Sequence, residues 1–158
     1  MIGRSVLQFW VLALSLGLQI GSLLSESRRP NIFTSLEEIL SQDERPVLLV
    51  FFSTSCSTCW DDLLEMRLFL HERGLSVRLV GITGDRREEV ERFCRKYSFF
   101  EPIVLDQRRK IFKAYQVDLV PFKVILLRRK IVYKDDYYLE FGLRKEEAKR
   151  CLAAIGRG

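Results

Sequence analysis

The stretch Val47-Leu48-Leu49-Val50-Phe51-Phe52-Ser53-Thr54-Ser55-Cys56-Ser57-Thr58-Cys59 decides the reading of this 158-residue chain. Val47 to Phe52 is an unbroken apolar run, the pattern of a strand buried on both faces in the middle of a sheet. Ser53 to Ser57 then leads into a segment of helical period from about Thr58 to Glu72, ended by Gly74. Leu64, Arg67, Leu68 and His71 lie along one side of that helix, and Met66, Phe69 and Leu70 broaden its apolar surface. The two cysteines thus stand at a strand-to-helix junction. The first amides of a helix lack intrahelical partners and, with the helix dipole, favour a thiolate on the first cysteine. The two-residue spacing lets the second thiol attack a mixed disulfide made by the first. Cys56 is expected to be the exposed nucleophile and Cys59 the buried resolving thiol.

Other uses of the pair have less support. A zinc site needs a second pair or spaced histidines, and the only histidine, His71, sits mid-pattern in the helix. Covalent haem attachment needs a histidine after the second cysteine, where this chain has Trp60. An inert structural disulfide stays open as an alternative. No metal or cofactor is expected. Cys94 and Cys151 fall on apolar helix faces and read as packed thiols.

Outward from the dithiol, strands and helices alternate. Ser35 to Leu40 reads as a short helix with a capping-box pattern at Ser35 and Glu38. Val77 to Ile82 is a buried strand, Asp85 to Tyr97 a helix with Val90, Phe93, Cys94 and Tyr97 inward, and Ile103 to Leu105 a short strand. Gln107 to Tyr115 is a short helix, and Phe122 to Leu127 a strand opened by Pro121. Lys130 to Lys134 with Tyr137 to Phe141 is either a hairpin turned at Asp135-Asp136 or an edge strand with a bulge. Arg144 to Ile155 closes the chain as a helix. The pattern predicts an α/β fold: a central mixed sheet flanked by helices.

The N-terminus sets the expected compartment. Val6 to Leu24 is almost wholly apolar behind Arg4, and Glu26 to Arg29 ends it. Nineteen helical residues span about 28 Å, close to the hydrocarbon thickness of a bilayer. Residues 1–25 read as a signal anchor or a cleaved signal peptide, 26–34 as a linker, and 35–158 as the folded domain. The net charge of +5 comes from basic runs such as Arg128-Arg129-Lys130 interleaved with acids. That is an ordinary solvated surface, so no nucleic-acid partner is expected.

The segment Phe51 to Cys59 resembles the active-site segment of the thioredoxin superfamily, and Val120-Pro121 resembles its cis-proline loop. Leu79 to Asp85, Phe93, Tyr97, Pro102 to Asp106, Tyr115 to Val117 and Val120-Pro121 together look like the membrane-tethered thioredoxins of the TlpA/ResA group. The resemblance spans about Leu36 to Ile155. It implies a thioredoxin-like fold with an inserted helix and strand before the proline loop. It implies that Pro121 lies against the dithiol and that Val120 offers backbone hydrogen bonds to a peptide, with Ser55 beside them in the substrate-binding set. Asp85 matches a glutamate of the group that can take the proton of Cys59; as a plain sequence feature it reads equally as a helix N-cap. Three positions depart from the pattern: Ser55 stands for the usual tryptophan, Val50 for a buried acid and Phe122 for a threonine.

The expected function is thiol–disulfide exchange on exported proteins with cysteine pairs. The family analogy suggests reduction, including that of apocytochrome c in cytochrome c maturation, with a membrane redox partner recycling the dithiol. A disulfide-forming oxidase, a peroxiredoxin-like peroxidase, a copper-assembly module and a non-catalytic binding module are the alternatives. The domain is expected on the extracytoplasmic side of a membrane.

Overall fold

The computed structural model describes residues 29–157, so the apolar N-terminal segment lies outside the described residues. Six strands form one sheet: β1 (Ile32–Phe33), β2 (Val47–Phe51), β3 (Arg78–Thr83), β4 (Ile103–Leu105), β5 (Phe122–Leu127) and β6 (Lys130–Lys134). Their order is β1-β4-β3-β2-β5-β6, parallel up to β2 and antiparallel from there. Five helices cover it: α1 (Leu36–Leu40), α2 (Ser57–Glu72), α3 (Arg87–Tyr97), α4 (Lys110–Ala114) and α5 (Phe141–Ile155).

Alternation along β2 explains the two layers. Leu48, Val50 and Phe52 face one side, where they meet Cys59, Leu63 and Met66 of α2, Val90 and Phe93 of α3, and Ala148 and Leu152 of α5. Val47, Leu49 and Phe51 face the other, against Leu36 and Ile39 of α1 and Phe112 of α4. The whole of β2 is buried, as a central strand with both faces covered must be. Val50, where a buried acid was noted as missing, is simply part of the first layer. Gly81 of β3 leaves room for the Phe52 ring: a Cβ there would meet Phe52 Cε1 at 2.8 Å.

Four sequence expectations need correction. Ile32–Phe33, assigned to the linker, is an edge strand pairing with Ile103 and Val104, and the Ile103 N–H donates to Asn31 O at 2.9 Å. Ser35 does precede α1, but its side chain makes no capping hydrogen bond. Residues 137–141 do not form a strand. The Asp136 carboxylate accepts from the Tyr138 N–H at 2.9 Å, an Asx turn that bends the chain into α5. The final hairpin is β5–β6 instead, with a register shift at Ile125/Leu126 and a turn at Arg128 and Arg129. Both turn residues take positive φ, 49° and 65°, the twist that suits a two-residue hairpin.

The last correction concerns α2. Its buried residues are Cys59, Asp62, Leu63, Met66 and Leu70, whereas Leu68 is 54% exposed and His71 is exposed. The inward stripe therefore runs through an aspartate. Strand β5 carries the matching surprise. Lys123 is fully buried, and because Phe122 and Val124 face the α1/α4 layer, Lys123 points to the α2/α5 layer.

Candidate active site: a dithiol at one edge of the sheet

Strand β2 ends at Phe51, and its antiparallel neighbour β5 begins opposite, at Phe122. Strand β3 runs parallel to β2 and ends beside Phe51, at Thr83. The loops carrying Cys56, Pro121 and Asp85 therefore emerge from the same edge, at the C-terminal ends of the parallel strands. Open α/β sheets place their sites on this edge because loops from several strands converge there.

Cys56 and Cys59 are joined by a disulfide, with Cα atoms 5.2 Å apart. Cys56 is the N-cap of α2, and its Sγ accepts from the Cys59 N–H at 3.2 Å. This first-turn amide, which also donates to Cys56 O at 3.1 Å, thus points at the sulfur and favours negative charge on it once the bond opens. Cys56 is partly exposed and Cys59 is fully buried. An attacking reagent can reach the first sulfur and not the second.

Asp85 has an occupation that neither sequence reading anticipated. The N-cap of α3 is Arg86, whose backbone N–H is held by the Glu89 carboxylate at 3.0 Å. The Asp85 carboxylate reaches the opposite way. It accepts from the Thr54 N–H at 2.5 Å and from the Ser53 hydroxyl at 3.2 Å. It ties down the loop that delivers Cys56. Ser55 is exposed and its hydroxyl lies 3.0 Å from that of Ser53.

The Val120–Pro121 peptide bond is cis. Val120 packs at the margin of the layer that contains Cys56 and Cys59. The preceding turn is held by Tyr137, whose hydroxyl accepts from the N–H groups of Asp118 at 2.8 Å and Leu119 at 3.2 Å. Leu119 is 69% exposed, and Tyr138, which follows Tyr137 in the chain, is 97% exposed. Phe122 stacks on Tyr137 with ring centroids 4.8 Å apart, so the substitution for threonine serves to brace this turn.

The sequence reading missed the carboxylate beneath the dithiol. Asp62 is three residues after Cys59, one turn along the same buried face, where side chains at this spacing are neighbours. One oxygen accepts from Lys123 Nζ at 3.0 Å; the other is buried with no hydrogen-bond partner among the described residues. Burial pushes its pKa above the usual carboxylate range, against the pull of the Lys123 charge. The signal was present in the i, i+3 spacing of Cys59 and Asp62, which sets both on one face of the helix.

Cys94 is buried and its thiol is pushed up to about 11 by burial, and burial also raises Cys151. Both are held in the unreactive thiol form, as packed cysteines are. No cluster of metal-ligating side chains occurs among the described residues.

A central mixed sheet flanked by helices, with a partly exposed dithiol capping the helix after the central strand, defines a thioredoxin-like fold. The chain belongs to the AhpC/TSA family, whose model matches residues 33–140. A search of curated proteins finds no match. Among solved structures, the domain is similar to an uncharacterized thioredoxin-like protein from Porphyromonas gingivalis, at 22% identity, TM-score 0.63 and coverage of 84% of this chain and 95% of that one. It is similar to StoA from Bacillus subtilis, at 21% identity, TM-score 0.55 and coverage of 70% and 84%. It also resembles the Xanthomonas campestris bacterioferritin comigratory protein, described for alkyl peroxide reduction, at 15% identity, TM-score 0.63 and coverage of 73% and 82%.

Proposed function

We propose that this protein exchanges disulfides with exported proteins, reducing their cysteine pairs, from a position held at the membrane by residues 1–25. The observation that carries the reading is the asymmetry of the pair: Cys56 is reachable and capped by a helix amide, and Cys59 is sealed behind it. In the reduced protein the Cys56 thiolate attacks a substrate disulfide, forming a mixed disulfide and releasing one substrate thiolate. Cys59 then gives up its proton, its sulfur attacks Cys56 Sγ, and the second substrate thiolate leaves. Two electrons pass to the substrate and the Cys56–Cys59 disulfide remains. Asp62, one helical turn from Cys59, is the acceptor for the proton. Asp85 fixes the Cys56 loop, and Val120 and Pro121 with Ser55 receive the substrate chain. A membrane partner returns the two electrons, since an extracytoplasmic compartment does not supply them. Apocytochrome c, with its paired haem-attachment cysteines, is a substrate of the required chemistry.

The similarity to a peroxide-reducing protein supports one second reading, a peroxidase in which Cys56 is oxidised by a hydroperoxide and Cys59 closes the disulfide. One experiment separates the two. The Cys59→Ala variant is expressed in cells, where it strands the mixed disulfide on Cys56, and the wild-type protein is assayed against both glutathione disulfide and hydroperoxide. Capture of exported proteins with cysteine pairs, together with Cys56-dependent exchange, is the expected result. Faster turnover of hydroperoxide with no trapped exported partner selects the peroxidase, and capture of cytoplasmic proteins alone overturns the compartment.

A further inference from the structure

The strongest unexplained feature is a chain of buried charge under the dithiol. Lys123 Nζ lies 3.0 Å from Asp62 Oδ2 and 3.1 Å from Asp135 Oδ2, and all three side chains lack solvent contact. The Lys123 backbone N–H also donates to Asp135 Oδ2 at 3.0 Å. The Tyr133 hydroxyl, with one proton to give, lies between two acceptors, 2.7 Å from Asp135 Oδ1 and 2.8 Å from the Arg144 carbonyl. The cluster thus joins α2, β5, the end of β6 and the start of α5.

Its charge does not balance. Two carboxylates share one ammonium, so the cluster is one proton short of neutrality when every group is ionised. Burying a net charge is far more costly than burying a matched pair. The open position for a proton is Asp62 Oδ1, because of the four carboxylate oxygens it alone has no hydrogen-bond partner among the described residues. That oxygen belongs to the residue one turn from the resolving thiol.

We propose that Lys123, clamped by Asp135, is a positioning residue that sets the proton affinity of Asp62 and thereby the pH range in which Cys59 can be deprotonated for the resolving step. The proposal rests on the reading of Cys56–Cys59 as an exchange centre. The balance is simple: the proton leaving Cys59 Sγ is taken by Asp62, the Cys59 electron pair forms the bond to Cys56 Sγ, and the substrate thiolate leaves.

The two neighbours of Asp62 act in opposite senses. The Lys123 charge and hydrogen bond lower its proton affinity, and Asp135 raises it. Further out, Lys145 of α5 lowers it too, while its ammonium is bound to Glu65 of α2 at 2.5 Å. Tyr133 is held as the neutral phenol by burial and by Asp135. Arg144 and the Phe141 ring complete the wall on the α5 side, with Lys123 Nζ 5.4 Å from the Phe141 centroid.

This opposition gives the test. The reduced full-length protein is mixed with glutathione disulfide at concentrations where the intramolecular step limits the rate, and oxidation is followed by fluorescence of Trp60, the neighbour of Cys59. The rate is measured against pH. Lys123→Met is expected to move the rising limb to higher pH by about one unit or more, a loss of about tenfold at a fixed pH on that limb. Asp135→Asn moves it to lower pH. Asp62→Asn removes the limb. If Lys123→Met fails to fold, the Lys123→Met/Asp135→Asn double variant, which leaves a single carboxylate, replaces it and also shifts the limb upward, because the Lys123 effect is the larger. Shifts in the same direction for Lys123→Met and Asp135→Asn, or profiles that stay in place while exchange continues, overturn the proposal. Absence of exchange by the wild-type protein at every pH overturns the exchange reading itself, and the proposal with it.

Discussion

Two aspartates flank the dithiol, and they are placed for different work. Asp85 stands at the open rim, spends its carboxylate on the Thr54 N–H and the Ser53 hydroxyl, and holds a loop in shape. Asp62 lies under the dithiol, fully buried, with one oxygen on a buried lysine and the other without a partner among the described residues. Identical side chains thus become a fastener in one place and a proton-binding group in the other. The difference is dielectric: near water a carboxylate keeps its charge at little cost, and in the interior its charge depends on what else is buried with it.

The comparison breaks hardest at Lys123. Lys123→Met leaves Asp62 and Asp135 facing each other without a cation, and it is expected to cost about 3–5 kcal/mol near neutral pH by urea denaturation. That is a large share of the ~5–15 kcal/mol that holds a domain of this size together. A cost below about 1 kcal/mol would show that the cluster does not behave as buried charge.

The next effect is on pH dependence. The folded-state pKa of Asp62 is raised, so the folded protein binds a proton more tightly than the unfolded chain does. The stability Asp62 contributes is therefore complete below the ordinary carboxylate pKa and is lost as pH rises from there through the raised folded value. Asp62→Asn removes this decline, so the difference in unfolding free energy between variant and wild type changes across that window and levels off above it. A constant difference across the window would place Asp62 with the ordinary carboxylates.

Asp85→Ala is the smallest of the three. It frees one backbone N–H and one hydroxyl at a partly exposed site, and a loss of about 1–2 kcal/mol is expected, with faster amide hydrogen exchange at Thr54. An unchanged exchange rate at Thr54 would remove Asp85 from its role as fastener.

Much of the fold was legible because it follows from apolar pattern. The run Val47 to Phe52, the cysteines at the junction and the strand after Pro121 all read directly, and β4 and β5 have the bounds the pattern indicates. The phase of α2 was not legible. Counting Asp62 as polar rotates the apparent inward stripe toward Leu64, Leu68 and His71, and only the partner on β5 reveals the true one. The same accounting hides Lys123 within an otherwise apolar strand. Residues 137–141 alternate like a strand, yet the local bond from Asp136 outcompetes sheet pairing. Asp85 was read as a proton acceptor or a helix N-cap, and the partners of its carboxylate lie 31 and 32 residues earlier, beyond what local pattern can show. A charge that is buried because its counter-charge is far away in sequence is the general form of these misses.

Strand β6 has a bearing on how copies of the molecule meet. Ile131 and Val132 are 52% and 45% exposed on a strand at the rim of the sheet, a surface on which another chain could add itself. Arg128, Lys130 and Lys134 bracket those two residues, and the Ile125/Leu126 irregularity twists the ribbon away from flatness. Two such rims approaching each other bring cation against cation before any backbone bond can form. The barrier is colloidal in kind: it acts at a distance, it costs the folded domain little, and it thins as added salt shortens the reach of charge.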